Sequence, residues 1–170
     1  MKFLIALTLV LGACISQTPV ANSPGQPVPT TAVPSVRATP APRTVYKIGE
    51  AIAYQDGWKL TVMKSEDSTP TSNFFTPKPG MRYVAVYVRH DNGSPKPISS
   101  NPFFFKLQDS TGVRHDPAIF GSQDDKLGSG EVAVGSFVVG SIVFEVPAGD
   151  SKLSLIYEQF GYAQTTIELF

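Results

Sequence analysis

The sequence predicts an all-β fold, an antiparallel sandwich of two sheets, for the part of the chain that follows residue 43. Three observations carry this prediction. Apolar and polar residues alternate along several short segments, which is typical of half-buried strands. Glycine, proline and asparagine separate these segments as turn formers. No stretch shows the apolar period of a helix, so seven or eight short strands divided by turns indicate two packed antiparallel sheets.

The first 13 residues have the composition of a signal peptide. Lys2 supplies a positive charge, and an apolar run from Phe3 to Leu11 follows it. The run is too short to cross a bilayer, which takes about 20 apolar residues. Residues 11–14, Leu-Gly-Ala-Cys, resemble the bacterial lipobox, in which the cysteine is the first residue of the mature chain and carries a diacylglyceryl group. We therefore expect Cys14, the one cysteine of the sequence, to be lipidated, because two acyl chains anchor a protein stably to a membrane. The alternative is a plain signal peptide followed by an incidental thiol.

A spacer is predicted for residues 15–43. This segment holds seven prolines and no aromatic or acidic residue, so it cannot bury enough apolar surface to offset the entropy of ordering it. At about 3.1 Å per residue in a polyproline-like conformation, its reach is at most roughly 90 Å. The predicted organisation is a lipoprotein signal peptide (1–13), a lipidated cysteine with a disordered linker (14–43) and one β-sandwich domain (44–170).

The composition of the domain restricts its function. Residues 44–170 hold 11 basic and 14 acidic residues, a net charge of about −3, which argues against a nucleic-acid partner. Because no cysteine follows Cys14, neither a disulfide nor a thiolate metal site is possible in the domain. A hydrophobic core alone must hold the domain together.

The domain begins with a predicted hairpin. Residues 51–54 and 58–64 flank Gln-Asp-Gly at 55–57, and an Asp-Gly pair favours the tight turn of a two-stranded hairpin. Three large apolar residues of the second strand share the face that we expect to be buried: Trp58, Leu60 and Val62.

A long surface loop is predicted for residues 65–78, which are polar and contain two prolines. Loops of this length are uncommon unless they are functional or disordered. Phe74 and Phe75 form an apolar tip in its middle. These two phenylalanines either contact a partner or fold back over the edge of the sandwich.

The longest predicted strand covers residues 81–92. Its β-branched residues at alternate positions are expected to face the core: Val84, Val86 and Val88. The opposite face of the strand carries Tyr83, Tyr87 and Arg89. Tyrosine and arginine are enriched where proteins bind proteins, so the three residues form a candidate recognition surface. If both faces of the sheet are covered, they are instead ordinary half-buried strand residues.

The remaining strands follow the same alternation. Phe103, Phe105 and Leu107 are predicted to point inward, and residues 118–131 form a loop rich in glycine, serine and aspartate. A further long strand is predicted for residues 132–146, whose apolar residues at even-numbered positions, Val134 among them, share one face. Gly135 and Gly140 interrupt it and indicate a bulge or a close backbone approach. Two last strands are predicted for 153–157 and 164–170.

Four motifs follow one another along the domain. They are Ile-Gly-Glu at 48–50, Pro-Gly-Met-Arg-Tyr-Val at 79–84, Asp-Ser-Thr-Gly at 109–112 and Phe-Glu-Val-Pro at 144–147. Their order resembles the uncharacterised immunoglobulin-like domain family of bacterial secreted proteins and lipoproteins, which is similar in fold to a mycobacterial immunoprotective extracellular antigen. The resemblance covers about residues 46–157. It implies an immunoglobulin-like sandwich in the cell envelope without catalysis, and it supplies no functional residues.

Catalysis is not expected from the residues themselves. The two histidines, His90 and His115, each precede an aspartate, but neighbouring residues on a strand face opposite sides of the sheet. A nucleophile needs a base that a third group orients, so neither His-Asp pair can act without a partner from elsewhere. We therefore expect no enzymatic activity and no cofactor.

Two weak sets of metal ligands remain open. Hard oxygens for Ca²⁺ are available from Asp124 and Asp125 together with Asp116 or Asp109. Softer ligands for copper are available from the two histidines together with Met81 or Met63. Neither set has a diagnostic spacing, and the alternative is solvated loop acids and strand-end histidines.

The leading function is therefore a noncatalytic lipoprotein, anchored through Cys14 on the extracytoplasmic side of the cell membrane or outer membrane. Its domain is expected to bind another envelope or extracellular protein. The alternative is a carrier of a ligand or of a metal such as calcium or copper that uses the loop at 118–131.

Overall fold

The structure, a computed structural model, describes residues 45–69, 75–118 and 125–170. These residues form an immunoglobulin-like antiparallel β-sandwich, as the sequence predicts, with a short 3-10 turn at Pro102–Phe104. The strands are β1 (Val45–Lys47), β2 (Ala51–Ala53), β3 (Trp58–Ser68), β4 (Met81–Asn92), β5 (Ile98–Ser100), β6 (Phe105–Gln108), β7 (Arg114–His115), β8 (Gly130–Val132), β9 (Phe137–Pro147), β10 (Ser154–Tyr157) and β11 (Thr165–Glu168). The prediction of seven or eight strands was too low for the described residues, because strands of two or three residues are too short to show alternation.

Two main sheets build the sandwich. The five-stranded sheet has the order β1-β11-β10-β6-β7, and the four-stranded sheet has the order β2-β3-β4-β9. A small third sheet pairs β5 with β8. All strand pairs are antiparallel except β1 with β11, which run parallel. The longest pairings among the described strands are those of β4 with β3 and of β4 with β9.

The core lies between the two main sheets. The four-stranded sheet contributes the predicted inward residues of β3 and β4, all buried: Trp58, Leu60, Val62, Val84, Val86 and Val88. The five-stranded sheet contributes Phe105, Leu107, Leu155, Tyr157 and Ile167 from the other side. Burying one such side chain stabilises a fold by about 1.5–3 kcal/mol, so the period-two pattern is also the main source of stability.

The first hairpin forms as predicted, and its second strand is longer than predicted. Gly57 has a φ of 98° in the turn, a conformation that side chains other than glycine rarely adopt. Strand β3 continues through residues 65–68, which pair with Tyr83 to Val86 of β4 after a bulge at Met63. The prediction placed residues 65–68 in the loop because their polar sequence carries no alternation.

The predicted strand at 132–146 is divided into two strands by a turn. Strand β8 ends at Val132, and β9 begins at Phe137. Gly135 has a φ of 73°, and the amide of Ser136 donates to the carbonyl oxygen of Ala133 (3.0 Å), so the turn closes there. Val134 is consequently exposed, and the prediction that it shares a strand face with the buried Ile142 and Phe144 was wrong.

Phe103 also differs from its prediction. It lies in the 3-10 turn and is 55% exposed, whereas Phe105 and Leu107 are fully buried. The Asn101 side chain accepts a hydrogen bond from the amide of Phe103 (2.9 Å), and this cap begins the turn before the strand starts. The alternation therefore holds only from Phe105 onward.

Within the described part of the chain, no helix has the length and apolar character that crossing a membrane requires.

Candidate functional site

The outer face of the four-stranded sheet, the side opposite the buried valines, carries the candidate site. Tyr87 and Arg89 project from β4, as predicted, and their register partners on β9 are Ser141 and Val139. We call the patch formed by Lys64, Tyr87, Arg89, Phe137 and Val139 the recognition face. It is rigid at the backbone level, because β4 pairs along nearly its whole length with a strand on each side.

Arg89 is held in place on this face. Its Nε lies 2.9 Å from both carboxylate oxygens of Asp91, and its Nη2 lies 2.6 Å from one of them. The guanidinium carbon also lies 3.9 Å from the ring centre of Phe137. The hydrogen bonds from Arg89 lower the pKa of Asp91. The ion pair and the stacked ring thus fix a planar cation at the surface.

Tyr87 lies at the end of the recognition face that is next to Lys64. The Lys64 ammonium lies 4.0 Å from the centre of the Tyr87 ring and 2.8 Å from a Glu66 carboxylate oxygen. Partial burial, followed by the hydrogen bond to Glu66, raises the pKa of Tyr87 to about 12. The phenol is therefore neutral at physiological pH and offers an aromatic body with a polar tip.

Tyr83 does not belong to the exposed row, contrary to the sequence-based prediction. Only 8% of it is exposed, and it packs with Ala85 of β4 and Val143 of β9. The cover comes from the segment after β7, where the amide of Ala118 donates to the carbonyl oxygen of Val143 (2.7 Å). The sequence places Tyr83 on the correct face, but it does not reveal that a distant segment covers that end of the face.

The recognition face gains two apolar residues that the sequence analysis missed. Phe137 is 57% exposed and Val139 is 42% exposed, and both lie on the odd-numbered face of β9. The prediction for this region rests on its even-numbered residues and makes no statement about the odd-numbered ones. An apolar phenylalanine and valine at alternate outward positions were the available signal.

The predicted loop at 118–131 is partly attached to the sheet. The amide of Ser141 donates to the carbonyl oxygen of Asp125, and the amide of Leu127 donates to the carbonyl oxygen of Ser141, both at 2.8 Å. These bonds lie along the outer edge of β9, while the Asp125 carboxylate accepts from the Ser141 hydroxyl (3.2 Å). Asp124 lies outside the described residues. The described part of the loop thus covers a sheet edge that would otherwise be open.

The aspartates proposed for calcium have protein partners. Asp116 pairs with Lys106, and buried Asp109 accepts from the Thr111 hydroxyl (2.6 Å) and from His115 Nε2 (2.8 Å). The bonds from Thr111 and His115 outweigh burial and lower the pKa of Asp109 to about 2. Among the described residues, no three His, Cys, Asp or Glu side chains are grouped as metal ligands.

The histidines proposed for copper lie in different environments. His90 is fully buried in the core, whereas His115 lines an open surface groove of about 510 Å³ together with Met81 and Tyr83. Met63 is exposed on β3. The carboxylate partner of His115 is Asp109, six residues before it across the β6–β7 hairpin, and not the adjacent Asp116. A turn at 109–112 is the sequence signal for this pairing.

Phe75, the described half of the predicted apolar loop tip, is 37% exposed. Phe74 lies outside the described residues. A contact role for this tip therefore stays a prediction.

The sequence of residues 46–167 matches the family model described as a domain of unknown function, DUF4352. The chain belongs to the DUF4352 family. No curated protein sequence matches the chain significantly. The DUF4352 match covers nearly the whole sandwich, from β1 to β11, and confirms the resemblance to a bacterial domain family of unknown function.

Several solved structures share the fold at low sequence identity. The DUF4352 domain is similar to the YjhA protein of Bacillus subtilis, with 18% identity, a TM-score of 0.58, and coverage of 74% of this chain and 99% of that one. It is also similar to MPT63, a secreted protein of Mycobacterium tuberculosis, with 14% identity, a TM-score of 0.53, and coverage of 76% and 99%. At such identities the likeness shows the β-sandwich fold alone.

A third similar structure is YcdA, a candidate lipoprotein of Bacillus subtilis, with 16% identity and a TM-score of 0.57. The alignment covers 70% of this chain but only 38% of the YcdA chain. The DUF4352 domain is thus similar in fold to both a candidate lipoprotein and a secreted protein.

Proposed function

We propose that this DUF4352 chain is a lipid-anchored protein of the cell envelope whose sandwich binds another envelope or extracellular protein and performs no chemistry. The recognition face is the observation that carries the proposal. It places a phenylalanine of β9 beside a tyrosine and an arginine of the paired strand β4, and the arginine is already held by an ion pair. Aromatic residues and arginine supply most binding energy in protein interfaces.

The arrangement of the face lowers the cost of binding. Ordering a side chain at an interface costs about 0.5–1.5 kcal/mol. Arg89 is already stacked on Phe137 and bonded to Asp91, and Tyr87 is already packed under Lys64. Binding would therefore immobilise few groups that are not already immobile. Side chains that are already ordered lose little conformational entropy when a partner binds, so this arrangement favours a binding surface.

Removal of the lipid attachment site tests the anchor. We expect Cys14→Ser to move the protein from the membrane fraction to the soluble extracytoplasmic or culture fraction, because a serine cannot form the thioether to diacylglycerol. The measurement is an immunoblot of fractions from cells expressing either form, after a high-salt wash that removes charge-bound protein. A Ser variant that still sediments with washed membranes contradicts the lipid anchor.

Removal of the two half-buried anchors on β4 tests the recognition face. We expect Tyr87→Ala with Arg89→Ala to reduce the amount of partner crosslinked in native cells at least about tenfold, since hot-spot residues contribute about 2 kcal/mol or more each. Recovery is normalised to the amount of the lipoprotein, and the partner is defined as the protein captured by the wild type.

Two matched variants sharpen this experiment. Phe170→Ala with Lys152→Ala removes an exposed aromatic residue and a cation away from the face, and we expect it to keep the partner. Phe74→Ala with Phe75→Ala tests the loop tip. Undiminished capture by the Tyr87 and Arg89 variant contradicts the proposed face, and loss only in the loop variant transfers the binding site to that loop.

A further inference from the structure

A histidine lies in the middle of the core, where a hydrophobic residue is expected. His90 of β4 is fully buried and faces inward with the valines, and its register partners are Leu60 of β3 and Val138 of β9. Its ring lies 5.7 Å from the Trp58 ring and 5.8 Å from the Phe105 ring, measured between centres. The imidazole therefore stands at the contact between the two main sheets.

The polar atoms of the His90 ring are buried without hydrogen bonds from the described part of the chain. Both ring nitrogens are buried, and neither has a hydrogen-bond partner among the described residues. Buried polar side chains nearly always have a partner, because leaving one unpaired costs free energy. The neutral ring tolerates this position, since it packs as an aromatic. A protonated ring would place a full, unpaired charge among apolar side chains, which costs far more.

The surroundings of the ring oppose its protonation from nearly every side. Strand β3 presents Trp58, β6 presents Phe105, and β10 presents Tyr157, whose ring centre lies 6.2 Å away and whose hydroxyl donates to Gln159. Burial raises the pKa of Tyr157, so its phenol carries no charge that would stabilise an imidazolium.

The nearby carboxylate of Asp91 favours protonation of His90. Asp91 follows His90 on the strand but faces outward and is bonded to Arg89. Burial lowers the pKa of His90 to about 4, and the field of Asp91 opposes this shift only in part. A histidine in an unfolded chain has a pKa of about 6.5.

We propose that His90 is an acid-sensitive latch whose protonation separates the two main sheets at the end of the sandwich that holds Trp58 and Tyr157. The direction follows from linkage. The open state binds a proton more tightly than the closed state, so the full stability is present above about pH 6.5 and falls as the pH drops toward 4. Each pH unit in this window reduces the ratio of closed to open molecules by up to about tenfold, which gives roughly 300-fold across the window. The latch therefore requires that closed molecules outnumber locally open ones by less than about this factor at neutral pH, because only then does half of the population open within the window.

Opening would also affect the outer face. His90 shares β4 with Arg89, so a displacement of β4 relative to β9 at this point would move Arg89 away from the Phe137 ring on which it is stacked. This consequence rests on the proposed function, whereas the latch itself does not. The test therefore reads the latch inside the protein and not through partner capture, so that the two proposals fail separately.

Trp58 provides the measurement. It is the one tryptophan of the chain and lies in contact distance of His90, so its fluorescence reports on this end of the core alone. We expect the purified full chain, held in detergent, to show a reversible red shift of tryptophan emission and a loss of near-ultraviolet circular dichroism, with a midpoint between about pH 6.5 and 4. Histidine ring signals in NMR spectra should show His90 taking up a proton in the same transition.

Three variants decide the cause. His90→Phe and His90→Leu remove the titrating group, and we expect the transition to disappear from this window in either one that folds. His115→Gln removes the other histidine, which is bonded to Asp109 outside the core, and should leave the transition unchanged. A wild type without a transition above pH 4, or a transition that persists in the His90 variants, overturns the proposal. If neither His90 variant folds, the NMR titration decides, and an imidazole that stays neutral through the fluorescence change overturns it.

Discussion

We expect Val86→Asp to unfold the domain, whereas Tyr87→Asp, at the neighbouring position, should leave it folded. Val86 is fully buried between Ser65 of β3 and Ile142 of β9, and its side chain enters the apolar core. A carboxylate there has no partner, and losses above about 4 kcal/mol are usual for such a change. That loss approaches the whole stability of an ordinary domain, about 5–15 kcal/mol. Tyr87 is only partly buried, so an aspartate at its position reaches water.

Thermal unfolding of the purified chain and its variants is monitored by circular dichroism at physiological pH. Val86→Asp should show no cooperative transition, and Tyr87→Asp should keep one close to that of the wild type. Tyr83→Asp distinguishes the structure from the sequence-based prediction. The structure buries Tyr83, so this variant should be much less stable than Tyr87→Asp, although both residues lie on the same face of β4. A cooperative transition in Val86→Asp, or a Tyr83→Asp variant as stable as Tyr87→Asp, contradicts this assignment of buried and exposed positions.

The part of the fold that the sequence predicts correctly is the part that depends on local alternation. In β3 and β4 each inward residue is followed by an outward one, and this pattern alone places Val84, Val86 and Val88 in the core. The hairpin turn at Gly57 is equally local, because it depends on two adjacent residues. Such features need no knowledge of what packs against them.

The burial of Tyr83 depends on a distant contact and was therefore missed. Its cover comes from Ala118, 35 residues later in the chain, attached through Val143 of a third element. Proline at 117 and the polar residues around it have no alternation that would place them along β9. The exposed row of three residues predicted from the strand is consequently reduced to Tyr87 and Arg89.

The candidate site shows the same division. Tyr87 and Arg89 were found from their own strand, but Phe137 joins them only through the pairing of β4 with β9, which brings Asp91 opposite Phe137. His90 was treated as a strand-end residue available to a metal. Its aromatic neighbours come from β3, β6 and β10, which the sequence does not show to meet. Contacts between sheets are the information that alternation along one strand does not contain.

Adding a single methyl group at Gly140 should detach residues 125–127 from the edge of β9. A Cβ atom at this position would lie 2.5 Å from Leu127 Cα and 2.6 Å from Leu127 N, closer than real Cβ contacts allow. Both are backbone atoms, so no side-chain rotation can relieve the contact. The sequence predicts a close approach or a bulge at this glycine, and the structure shows the close approach.

We expect Gly140→Ala to destabilise the domain by about 2–4 kcal/mol. The methyl group displaces the segment at 125–127, which costs the burial of Leu127, about 2 kcal/mol, and two backbone hydrogen bonds to Ser141, about 1 kcal/mol each. Urea unfolding measures the loss, and amide hydrogen exchange at Leu127 and Ser141 shows whether it arises at this edge. Gly128→Ala is the matched control, since a Cβ there meets no atom within 4 Å. If Gly140→Ala is as stable as Gly128→Ala and both amides still exchange slowly, the close packing of residues 125–127 against β9 is wrong.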